Sequence, residues 1–192
     1  MFKLPSKQRG FSLLELAIVA VVISILFVIA ANKLLGTRSD AEITAMESAV
    51  GTLRSALNIR VAAHLAKDDV AAIAALENSN PMANLSELPK NYLGELAAPK
   101  FSELETGAWY FDTRDRALVY LVKNTDYFRG GLAAPPRARF AVRLVYHDSN
   151  GNKVFDKGRE TLNGVRLVEL EPYSWLKQPS TASAAPAISV QP

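Results

Sequence analysis

From Leu16 to Ala31 the chain runs for sixteen residues without a charge, and only Ser24 among them is polar. Counted from Phe11 the apolar run is 21 residues, broken by Ser12, Glu15 and Ser24. A helix of that length rises roughly 30 Å, about the thickness of a bilayer core. The pattern then changes without losing its period. Ile43, Met46, Val50, Leu53, Leu57, Val61 and His64 follow one another at three- and four-residue steps, the spacing of one helix face. Glu42, Thr44, Glu47, Ser48 and Arg54 fall between them and read as the polar face. This predicts a helix from Phe11 to about Ala66 whose first half is apolar all round and whose second half is amphipathic. Gly36 and Gly51 lie inside it, each costing ~1 kcal/mol of helix propensity relative to Ala.

Beyond the helix the period shortens. Asp68 is placed to cap a short helix reaching Leu76, and Asn78-Ser79-Asn80-Pro81 ends it. Residues 78–106 carry Pro81, Pro89, Gly94 and Pro99 and read as loop. Four strands are predicted after that: 108–112, 117–123, 139–146 and 164–171. Arg139 and Arg143 stand among the apolar residues of the third. Thr113–Arg116 reads as a turn, and Asn150-Gly151 and Asn163-Gly164 as turn dipeptides. One long helix followed by four strands predicts an α+β fold with an antiparallel sheet laid on the second half of the helix. The segment from Gln178 onward, small, polar and Pro-rich, is expected to be disordered. The predicted organisation is a leader at 1–10, a membrane helix at 11–35, a head at 36–177 and a tail at 178–192.

Charge sharpens this division. Residues 1–10 hold Lys3, Lys7 and Arg9 and no acid, which leaves 19 basic and 19 acidic side chains in the rest. The net +3 therefore belongs to the first ten residues. Basic residues before an apolar run keep the N-terminus cytoplasmic and send the head across the membrane. No basic stripe with interleaved aromatics follows, so a nucleic-acid surface is not expected. The chain has no cysteine, which excludes disulfides, thiolate metal sites and a cysteine nucleophile. Gly-rich phosphate loops, G-x-S-x-G and paired-His motifs are absent as well, so no catalytic role and no cofactor are expected.

Glu15 is the residue the pattern leaves over. An acid within a spanning segment costs about 2.5–3.5 kcal/mol at the centre and less toward the edge. Ser12-Leu13-Leu14-Glu15 fits a capping box, which accounts for the acid as helix-terminal chemistry. A secretory signal ending near Ala30-Ala31, or a plain anchor, also accounts for the apolar run. Neither gains anything from the acid. Cleavage after Gly10 would place the new α-amino group of Phe11 four residues from Glu15, within reach of its own chain and of a neighbouring copy.

Arg9-Gly10-Phe11-Ser12-Leu13-Leu14-Glu15-Leu16 resembles the class III leader of type IV prepilins and of type II secretion pseudopilins. The resemblance is dense over residues 7–31. It implies that a membrane prepilin peptidase cuts between Gly10 and Phe11 and methylates the amine of Phe11. It also implies that Glu15 pairs with the N-terminal amine of an adjacent subunit during assembly. The expected partners are copies of the chain, other pilins or pseudopilins, the prepilin peptidase, an inner-membrane assembly platform and membrane lipid. The expected location is the inner membrane with a periplasmic head, then a fibre. Many relatives carry a Pro or Gly within this helix. Here Ser24 and Ala30-Ala31-Asn32-Lys33 stand instead, with no Pro between residues 6 and 80. The lack of cysteine favours a minor pilin or pseudopilin over a major adhesive pilin. The alternatives are a membrane-anchored periplasmic binding module and a secreted enzyme freed from a signal peptide.

Three smaller features complete the reading. Asp148, Asn150, Asn152 and Asp156 have the alternating oxygens of a calcium loop. However, Lys153 takes the place of the loop glycine, so an ordinary hairpin turn is the expectation. Trp109, Tyr110, Tyr120, Tyr173 and Trp175 are expected in the core or on strand faces. His64 is expected as a partly buried packing residue.

Overall fold

The computed structural model describes residues 12–176, with backbone alone for 32–37. Gly10, Phe11 and the tail from Gln178 lie outside the described residues. Helix α1 runs Leu13–Leu65. The chain forms two compact units, Met1–Ser39 and Asp40–Pro192.

In the first unit α1 is exposed and, Glu15 and Ser24 apart, apolar from Leu13 to Ile29: Leu13, Leu14, Ile18, Val21, Ile25, Phe27 and Ile29 are all more than half open. Leu13–Ala31, 19 residues, is long and apolar enough to cross a membrane. A helix apolar all round is stable only where its surroundings are apolar too. The one hydroxyl within it makes no demand on those surroundings, because Ser24 Oγ donates to the Ala20 carbonyl at 2.7 Å.

The second unit is an α+β head. After α1 come α2 (Val70–Ala74), β1 (Tyr92–Leu96), β2 (Trp109–Asp112), β3 (Ala117–Leu121), β4 (Phe128–Gly130), β5 (Arg137–Tyr146), β6 (Leu162–Glu169) and β7 (Tyr173–Trp175). The main sheet has the order β1-β2-β3-β5-β6, and β4 pairs with β7 apart from it. Every neighbouring pair is antiparallel except β1 with β2, which is parallel. The four expected strands are β2, β3, β5 and β6. The sheet is mixed rather than purely antiparallel, and β1 lies inside the stretch read as loop. β1 escapes its own local pattern because Gly94 takes a positive φ and the register with β2 slips between Tyr92 and Glu95. Beyond the end of β3, the exposed edge of β5 is capped by the Asn78 amide, which donates to the Val142 carbonyl at 2.9 Å.

Alternation places two sets of side chains on opposite faces of the sheet. Trp109, Phe111, Leu118, Tyr120, Phe140, Val142, Val165 and Leu167 join Met46, Val50, Leu53, Leu57 and Val61 of α1 in the main core. The Trp109 ring centroid lies 4.7 Å from Tyr120 and 5.9 Å from Phe140. Tyr110, Ala117, Val119 and Leu121 face the other way and are covered by Leu96 at the end of β1 and by Leu104 and Leu170 from connecting segments. On that second face Arg139 bridges two acids: its guanidinium donates to Asp115 at 2.9 Å and pairs with Glu171. Tyr173 and Trp175 are half-buried and pack on Phe128.

Two local expectations are corrected. Asp69, not Asp68, caps α2, accepting the Ala72 amide at 3.0 Å, while Asp68 sits at a positive φ and makes the bend. Asn163-Gly164 is not a turn but lies within β6, where Gly164 has φ +142 and pairs with Val145 beside a register slip. The turn that closes β5 to β6 is the 148–160 loop, and Gly151 there does have a positive φ.

Leu53 is fully buried at the centre of the helix–sheet contact. Leu53→Ala should lower unfolding free energy by about 2–5 kcal/mol, measured by urea unfolding of the detergent-solubilised chain. Ser55→Ala on the exposed side of the same helix should stay within about 0.5 kcal/mol.

Candidate functional site

The N-terminal site is built on the start of α1. Ser12 precedes the helix, and its Oγ accepts the Glu15 amide at 3.2 Å. That is one half of the capping box. The other half, the Glu15 carboxylate reaching back to the Ser12 amide, is not made. Among the described residues the Glu15 carboxylate has no hydrogen bond and no ion pair. Capping therefore explains the serine and leaves the acid free. The acid also stands in the first turn of α1, where the helix N-terminus favours a negative charge. Leu13, Leu14 and Leu16 surround it and are exposed. The arrangement offers one uncommitted carboxylate at the end of an apolar rod, a geometry suited to a cation brought by something else. Gly10 and Phe11, on which processing would act, fall outside the described residues.

A second carboxylate on the same helix behaves in the opposite way. Glu42, read from sequence as part of the polar face, is only 9% exposed. Its Oε1 accepts the Tyr120 hydroxyl at 2.9 Å and the Lys123 amide at 2.7 Å. Its Oε2 accepts the Asn124 amide at 2.8 Å and the Asn124 side-chain amide at 2.6 Å. Four donors hold α1 to the end of β3. A signal for this was present: Glu42, Met46, Ala49 and Leu53 step by four, three and four residues, so Glu42 continues the edge of the buried stripe. Burial and the Glu42 carboxylate together raise the pKa of Tyr120. Burial raises Tyr110 and Tyr173 to about 12, with Asp112 and Glu169 adding to it.

The 148–160 loop uses its oxygens internally. The Asp148 carboxylate accepts the amides of Gly151 at 2.7 Å and Lys153 at 2.9 Å. Asn150 Oδ1 and Asn152 Oδ1 accept the amides of Asn152 and Val154 at 3.0 and 2.8 Å. Asp156 Oδ2 accepts both asparagine side-chain amides, at 2.7 and 3.1 Å. Desolvation pushes the Asp148 pKa up, but the backbone amides of Lys153, Gly151, Asn150 and Asn152 together outweigh it and hold it below the usual carboxylate value. This is the wiring of a turn. Among the described residues no group of three or more His, Asp or Glu side chains is placed to hold a metal. His64 is half-buried on the α1 stripe, with Nδ1 3.7 Å from Asp69 Oδ2.

With the geometry in place, residues 5–31 match the family model of the prokaryotic N-terminal methylation motif, the prepilin-type cleavage signal. The match takes in Gly10, Phe11, Ser12 and Glu15 and ends where the membrane-length run ends. No curated protein and no solved structure matches the chain.

Two measurements test the Glu42 tie. Glu42→Gln removes the charge and turns one acceptor into a donor facing N–H groups. It should cost about 2–4 kcal/mol, read as a lower midpoint in urea, whereas Glu47→Gln should be nearly silent. The tyrosines set an alkaline limit. Their folded pKa values lie above the unfolded value of 10.0, so the unfolded chain loses its protons first. Their contribution is whole below pH 10 and is lost as pH rises toward 12. Absorbance of tyrosinate should show these three rings titrating only with the loss of tertiary structure. Free titration near pH 10 in the intact fold would contradict the burial.

Proposed function

We propose that the chain is a structural subunit of a helical fibre of the type IV pilus or type II secretion kind, a minor pilin or pseudopilin. In this reading it is made as a precursor, cut between Gly10 and Phe11 by a prepilin peptidase, and methylated on Phe11. It then waits in the inner membrane, single-pass, with its head in the periplasm. The methylation motif over residues 5–31, with an uncommitted Glu15 inside it, carries the proposal. Leaving lipid for a fibre core exchanges one apolar environment for another, so the Leu13–Ala31 surface serves both. Glu15 then supplies register. An unpaired charge within that surface is costly, and a subunit whose N-terminal amine meets the carboxylate relieves it. The role is non-catalytic, and its partners are copies of the chain, related subunits and an assembly platform in the membrane.

Glu15→Ala should leave membrane insertion intact and abolish or strongly impair incorporation into fibres, scored by shearing or electron microscopy against membrane fractionation. Normal incorporation of that variant would sink the mechanism. Intact mass and N-terminal sequencing of the membrane-extracted protein should give a chain starting at N-methyl-Phe11.

A further inference from the structure

Within the head, a groove runs along one flank of α1. Ala45, Ser48, Ala49 and Thr52 form its helical wall, and segment 85–90 forms the other, around a space of about 500 Å³. The walls are open apolar surface. Ala45 is exposed, Ala49, Leu85 and Pro89 are half-buried, and Leu88 is 51% exposed. Thr52 interrupts this surface without needing water, because its Oγ1 donates to the Ser48 carbonyl at 2.9 Å. Glu87 and Lys90 stand exposed at the rim.

The sequence after Leu176 supplies a match. Ile188 and Val190 are its large aliphatic residues, set among small, polar and proline residues with no charge from 178 to 192. A tail that had only to stay soluble would gain from neither. Two residues apart, they project to the same side of an extended segment. The head also releases this tail close to the groove. The Leu176 amide donates to the Tyr127 carbonyl at 2.8 Å, and the Tyr127 amide to the Asn124 carbonyl at 3.2 Å. The Asn124 amide donates to Glu42 at 2.8 Å, and Ala45 lies about 5 Å further along α1. The eleven residues 177–187 reach about 36–40 Å when fully extended. As a flexible chain they span roughly 17–20 Å, so they cover this interval without being stretched.

We propose that residues 187–190 of the chain's own tail dock in this groove. Ile188 and Val190 cover Ala45, Ala49, Leu85 and Leu88, Ser189 faces outward, and Glu87 and Lys90 keep their water at the rim. The tether makes the tail the favoured occupant, since a short flexible linker holds it at an effective concentration in the millimolar range. Docking takes Leu88 out of contact with water, where an open apolar corner would draw heads together. The contact lies within one chain and is independent of the fibre reading.

The test uses the full-length, detergent-solubilised chain, whose lack of cysteine gives a clean background. Ser86→Cys on the groove wall is paired with Gln191→Cys beside Val190. A control pair replaces Ser86→Cys with Ser55→Cys, which is exposed on α1 outside the groove. Under mild oxidation of dilute protein, the groove pair should close an intramolecular disulfide about tenfold or more faster than the control pair, read by intact mass and non-reducing gel. Adding Ile188→Ser with Val190→Ser should slow the groove pair by about the same factor, and so should Ala45→Asp from the helix side. Thermal unfolding checks that the head is intact in each variant. Equal rates at Ser86→Cys and Ser55→Cys, or rates indifferent to the serine substitutions, would overturn the docking. Disulfide-linked dimers that disappear on dilution would place the tail of a second copy in the groove and overturn the intramolecular contact.

Discussion

Met46, Val50, Leu53, Leu57 and Val61 on one side of α1 have to be kept from water, and the head is arranged around that demand. A sheet answers it because alternation lets β2, β3, β5 and β6 each present a large side chain at every second residue to the helix. Trp109 meets Tyr120 and Phe140 in the core that also holds Leu53, and the rings fill what smaller residues would leave open. The answer creates a second demand. The back of the sheet carries Tyr110, Val119 and Leu121, and only long connections can cover it. Leu96, Leu104 and Leu170 do so from outside the central strands. Arg139, spread between Asp115 and Glu171, seals the margin with paired charge. Both demands arise from one apolar stripe, and the loop-rich stretch between residues 97 and 108 exists to serve the second.

What could be read from the sequence is what is locally periodic. The α1 stripe, β2, β3, β5 and β6 each repeat their pattern over enough residues to be recognised without knowing their neighbours. β1 does not, because its Gly94 breaks the alternation and its partner strand is parallel and lies across a connection. β4 and β7 have three residues each and no period at all. They exist because Phe128 and Trp175, far apart in sequence, pack edge to face. Asn163-Gly164 carries a turn signature that tertiary pairing overrides: β5 holds Gly164 in line opposite Val145. Asp68 and Asp69 compete for one cap, and the sequence offers no reason to choose. The N-terminal motif was legible as a stretch, since Ser12 and Glu15 sit at fixed spacing within the matched residues 5–31. That the box would close on only one side was not, because the spacing is the same whether or not the carboxylate turns back.

Glu15 and Glu42 make the most informative comparison in the molecule. They are the same side chain on the same helix, one inside an apolar run and the other read from sequence on a polar face. The fold gives Glu42 four donors within 2.9 Å, and with them its negative charge is spent on fixing α1 to β3. Among the described residues it gives Glu15 none, although the Ser12 amide lies three residues away in the cap. A carboxylate placed in an apolar rod, with no partner among the described residues, is costly unless it is matched. Removal is what a simple anchor would select, at no loss to insertion. In the fibre proposed above the match is the purpose: an assembly that supplies an amine at the right height relieves the charge, so an energetic defect of the single subunit becomes a condition on how subunits stack.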